Sequence, residues 1–111
     1  MQTSQFVALD CKITRGGFSD ERIFKLRRHD GTEYTGIASR RYCWGPDDRL
    51  LAADEPPSAD EWIKGKVAAR ILSADGREAD VSVPHGEAIT VNVDQLRPRP
   101  SEAGINVPVG S

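Results

Sequence analysis

A chain of 111 residues with fifteen basic and seventeen acidic side chains has a net charge of −2. It lacks the overall basic excess of a dedicated nucleic-acid binder, although a local basic patch stays open. Apolar residues at 38% and aromatics at 6% support a thin core, enough for one ordinary domain or two very small ones sharing a core. There is no apolar run of about eighteen residues to span a membrane, and the amino terminus lacks the basic start and apolar stretch of a secretory signal. The expected compartment is therefore the cytoplasm, where Cys11 and Cys43 stay free thiols unless the fold brings them together.

The first strand is expected over residues 5–14, where Val7, Leu9, Cys11 and Ile13 alternate with Phe6, Ala8, Asp10 and Lys12. A period of two sends alternate side chains to opposite faces, so the odd-numbered face is the buried one. Arg15-Gly16-Gly17 breaks the run, and Ser19-Asp20-Glu21-Arg22 offers a brief helical cap. A second strand over residues 23–28 points Phe24 and Leu26 inward and Lys25 and Arg27 outward. His29-Asp30-Gly31 turns it into a third strand over residues 32–39, in which Gly36 signals a bulge or sharp bend. Arg40-Arg41-Tyr42-Cys43-Trp44 is expected to continue extended to a turn at Gly45-Pro46-Asp47-Asp48, with residues 49–53 a closing strand or helical turn. Residues 54–60, with Pro56-Pro57 between acidic flanks, read as a linker outside any ladder, because two consecutive prolines stop pairing.

The second half is more regular. Val67, Ala69 and Ile71 alternate with Ala68 and Arg70, Val81 and Val83 flank Ser82, and Ile89, Val91 and Val93 alternate with Thr90 and Asn92. Asp75-Gly76 and His85-Gly86 supply the positive φ that tight hairpins need. Three antiparallel strands in a meander are predicted, with residues 101–111 a loose tail or an edge strand. An offset that lays Asp30-Gly31 on Asp75-Gly76 also lays Lys25-Leu26 on Arg70-Ile71 and Glu33 on Glu78, which hints at a duplicated unit.

A glycine before an alternating strand, an Asp-Gly hairpin, Val81-Ser82-Val83, a turn, Ile89-Thr90-Val91-Asn92-Val93 and then Asp94-Gln95-Leu96-Arg97-Pro98 resembles the small SH3-like barrels. Among them it is similar to Tudor-like and KOW-like modules and to the barrel at the start of myosin motors. The resemblance implies an all-β fold of two tandem SH3-like barrels, over residues 5–53 and 61–100, separate or fused through a shared interface with Trp62 as a plug. It carries over no ligand residues, because the aromatic cage of methyl-reading Tudor domains is missing from the second half.

Cys11, Cys43, His29 and His85 lack the paired spacing of a structural zinc site, and no glycine-rich phosphate loop occurs, so no cofactor or metal is expected. His29 sits in a turn, where solvent is a better partner for it than a cysteine nucleophile. The expected function is a non-enzymatic interaction module that binds a protein partner through Tyr34, Arg40, Arg41, Tyr42 and Trp44, since aromatic and arginine side chains dominate interface energetics. The alternative is single-stranded nucleic acid, held by Lys25, Arg27 and Arg41 on the basic and aromatic face of the first half, which also includes Arg22 and Arg28. The plain reading of that face is a solvated sheet surface whose charges discourage edge pairing.

Overall fold

The computed structural model describes residues 5–18, 20–45 and 61–100. Among these residues eight strands carry the fold: β1 (Gln5–Arg15), β2 (Glu21–Arg27), β3 (Glu33–Ser39), β4 (Cys43–Trp44), β5 (Ile63–Ala74), β6 (Glu78–Ser82), β7 (Ala88–Asn92) and β8 (Leu96–Pro98). They form one antiparallel sheet in the order β3-β2-β1-β5-β6-β7, with β4 alongside β5 and β8 alongside β1. Three single 3-10 turns, at Arg40–Tyr42, Pro84–Gly86 and Val93–Gln95, complete the described elements. Among the described residues no helix is long and apolar enough to cross a membrane.

The alternation read from the sequence is what builds the interior. Leu9, Cys11 and Ile13 of β1 face inward with Phe24 and Leu26 of β2, Val67 and Ala69 of β5, Val81 of β6 and Val91 of β7, in one buried cluster that spans both halves. The sheet curls into a half-barrel, and contacts far apart in sequence hold the curl. The His29 N–H donates to the Thr90 carbonyl at 2.9 Å, the Gln95 side-chain amide to the Arg27 carbonyl at 2.8 Å, and the Tyr34 hydroxyl to Glu87 Oε1 at 2.8 Å.

The two halves are joined by β1 and β5, which pair along their length with Leu9 opposite Val67. The short strand that ends the first half, β4, lies on β5 of the second half, and β8 at the end of the second half lies on β1 of the first. Leu9 thus sits between Val67 and Leu96, while Val67 sits between Leu9 and Cys43. These registers define a pseudo-two-fold through the Leu9–Val67 pair. It places Ile13 on Ile71, Phe24 on Val81, Ala38 on Val91 and Cys43 on Leu96. Tyr34 falls on Glu87, and these two residues are themselves hydrogen-bonded across the same axis.

Several sequence expectations change. The offset that matches the two Asp-Gly turns is not the one the strand registers give. Asp30-Gly31 closes β2 on β3, whereas Asp75-Gly76 closes β5 on β6, the counterpart of the β1–β2 connection. Gly36 makes no bulge: it stands in register opposite Phe24, and a Cβ there would lie 2.7 Å from the Phe24 ring. Glycine makes room for that ring, and the register shift of the sheet falls instead between Ile71 and Ser73. Glu21 and Arg22 start β2 and form no helical cap, because pairing with Ser39 and Ala38 satisfies their backbone. Arg40–Tyr42 is a 3-10 turn and not extended chain. Trp62 is no plug: it stays 37% exposed, with the Lys25 ammonium 4.3 Å from its ring centroid. The linker at 54–60, the closing segment at 49–53 and the tail at 101–111 lie outside the described residues.

Candidate functional site

On the outer face of the sheet, lysines line up across three neighbouring strands. Lys25 of β2 stands opposite Lys12 of β1, and Lys12 stands opposite Lys64 of β5. Like charges placed directly opposite in a ladder destabilise it, so this row needs compensation. Little comes from the protein. Among the described residues Lys12 and Lys64 have no ion-pair partner, and Lys25 has Glu33 at 4.0 Å and the Trp62 ring centroid at 4.3 Å. Asp10, one residue pair along, is committed to Arg97 of β8 at 2.8 Å.

This row forms one wall of a groove of about 590 Å³, which Arg27, Lys66, Gly65 and Gly45 also line, together with the carboxylates Asp10 and Glu33. Cys11 reaches the groove from the buried side, where burial, reinforced by the neighbouring Cys43, pushes its thiol pKa well up. Cys43 is likewise pushed up to about 12 by burial, an effect opposed by the Arg22 guanidinium. Both cysteines are free and buried, so neither presents a thiolate near neutral pH. Among its described lining residues the groove carries more basic than acidic side chains, and the exposed Trp62 indole lies against Lys25 beside it.

The pseudo-two-fold generates a second groove of about 260 Å³ at the other end of the β1–β5 pair. There Arg70 takes the place of Lys12, Ser82 that of Lys25 and Phe6 that of Lys64, because Arg70 is opposite Phe6 on one side and Ser82 on the other. Between the two grooves Trp44 lies on Ala8 and Ala68, with its indole N–H unpartnered among the described residues.

The residues expected at a protein interface are not brought together as one surface. Tyr34 is interior, where burial and then the hydrogen bond to Glu87 raise its hydroxyl to about 12. Trp44 is 1% exposed, because β4 pairs with β5 and lays the indole against two alanines. Arg40, Arg41 and Tyr42 share the 3-10 turn, and Tyr42, 42% exposed, lines the second groove. Of the nucleic-acid set, Lys25 and Arg27 do line the first groove, while Arg41 does not. Arg22, read as part of the basic face, is fully buried, since it shares the inward register of Phe24 and Leu26. Lys12, Lys64 and Lys66 were missed as site residues. Their outward alternation was legible, but the pairing of β1 with β5 that aligns them was not.

Comparisons with protein-family models, curated proteins and solved structures found no match to this chain.

Proposed function

We propose that this protein is a non-enzymatic binding module, built from two SH3-like units fused by exchange of their closing strands, and that its first groove holds single-stranded nucleic acid. The observation that carries this reading is the cross-strand row Lys25–Lys12–Lys64, which among the described residues has no carboxylate partner apart from Glu33. Adjacent strands lie about 4.8 Å apart. Three lysines rooted on neighbouring strands at such spacing concentrate positive charge, which a ligand that brings several negative charges in series stabilises. A phosphodiester backbone does this, and each neutralised phosphate releases a counterion. Trp62 offers a face on which a base can stack, worth about 1–3 kcal/mol. Stacking of an unpaired base favours single strands over duplex.

The protein-partner reading centred on Tyr34 and Trp44 has less support, because both side chains are interior. The cytoplasm is the proposed compartment, where reducing conditions keep Cys11 and Cys43 as the free thiols observed. Fluorescence anisotropy with a labelled oligothymidylate tests the function. Replacing Lys12 and Lys64 together by Gln is expected to weaken binding by roughly tenfold or more. Unchanged affinity would remove the proposal.

A further inference from the structure

The second groove is the first groove's counterpart with its chemistry altered. The lysine row becomes Ser82–Arg70–Phe6, so two of its three cations are replaced by a hydroxyl and an exposed aromatic ring. Phe6 is 62% exposed and is backed by the Arg99 guanidinium, 5.0 Å from its ring centroid. Arg99 is itself anchored to the Val7 and Ala69 carbonyls at 3.3 and 3.0 Å, which fixes this wall. Val83, Pro84 and Tyr42 supply further apolar surface, and among the described residues no carboxylate lines the groove. Arg70 is exposed and has no ion-pair partner among the described residues.

We infer that this groove docks an extended acidic segment of a partner protein, with one carboxylate on Arg70 and an adjacent apolar side chain against Phe6 and Pro84. Charge complementarity selects an anionic occupant, because among the described residues Arg70 is an exposed lining cation with no ion-pair partner, while Arg99 is engaged in holding the wall. The apolar surface and small volume select a side chain over a run of phosphates. An exposed arginine beside an aromatic ring is the composition that anchors protein interfaces. The inference is independent of the nucleic-acid reading, since Trp44 on Ala8 and Ala68 separates the grooves.

The test is an amide-shift titration of the full chain, labelled with ¹⁵N, against a short synthetic peptide in which aspartate alternates with leucine. Its asparagine counterpart serves as the second probe. Shifts are expected at Ala69, Ser82 and His85 with the aspartate peptide, and at least about tenfold weaker binding of the asparagine peptide. Arg70→Glu and the milder Arg70→Gln should each remove the response, Phe6→Ala should weaken it, and Lys64→Gln should leave it unchanged. Shifts confined to Lys12 and Gly65, equal binding of the two peptides, or no shift at all would overturn the assignment. So would an oligothymidylate that moves Ala69 and Ser82, because it would give this groove to nucleic acid.

Discussion

Lys12 faces Lys64 across the β1–β5 ladder, in the register that also puts Leu9 opposite Val67. The pairing that joins the halves of the fold therefore also sets two like charges side by side. In a sheet such a pair costs about 0.2–1 kcal/mol. Replacing Lys64 by Glu is expected to raise the urea unfolding midpoint, by about 0.5 kcal/mol of stability, while weakening oligonucleotide binding. Opposite effects on stability and binding mark a site held for a ligand, and a fall in both would mean that Lys64 supports the fold.

Gly65 lies where β4 crosses closest to β5. A Cβ at this position would collide with the Trp44 backbone carbonyl and with Ile13 Cδ1. Gly65→Ala is expected to cost about 1–3 kcal/mol, the usual range for overpacking. Gly36→Ala should cost less, because its obstacles are the Phe24 and Tyr34 rings, which can shift where a carbonyl cannot. Chemical denaturation of both variants checks the order.

Alkaline pH should unfold the protein in a defined window. The Tyr34 hydroxyl and the Cys43 thiol are each raised to about 12, and Cys11 is raised well above its ordinary value. A group whose pKa rises on folding holds its proton better in the native state. Its stabilisation is complete below the unfolded pKa, near 8.5 for thiols and about 10 for tyrosine, and is lost as pH climbs towards about 12. Denaturant midpoints should therefore fall from about pH 8.5 upward. Replacing both cysteines by Ala should remove the early part of the fall, and Tyr34→Phe the late part.

The same burial predicts slow thiol chemistry. Neither Cys11 nor Cys43 should react with iodoacetamide near pH 8 until the chain unfolds, since each is both covered and protonated. Labelling followed by mass spectrometry, with and without urea, checks this. Rapid native labelling of either cysteine would contradict the placement of β1 or β4.

Local pattern was legible in the sequence, and long-range pairing was not. Period-two alternation gave the inward residues Leu9, Phe24, Val67, Val81 and Val91, and the glycine turns located the hairpins, with positive φ at Gly31, His85 and Gly86 but not at Gly76. What stayed hidden was which strands meet. Nothing local to residues 5–15 states that they pair with residues 63–71, so the lysines of two separate strands read as unrelated surface charges. Arg22 shows the same limit from the other side. Its charge suggested the outer face, while its place two residues before Phe24 gave it the inward register. Trp44 read as a loop-edge anchor, and only the pairing of β4 with β5 shows that it is buried against Ala8 and Ala68.

The salt dependence of oligothymidylate binding tests the central claim most directly. If Lys12, Lys25, Arg27 and Lys64 each neutralise a phosphate, the plot of log affinity against log salt should have a slope of about −3, and Lys12→Gln should reduce its magnitude by about 0.7. A slope near zero, or one that Lys12→Gln leaves unchanged, would contradict the assignment of the lysine row to a phosphate backbone.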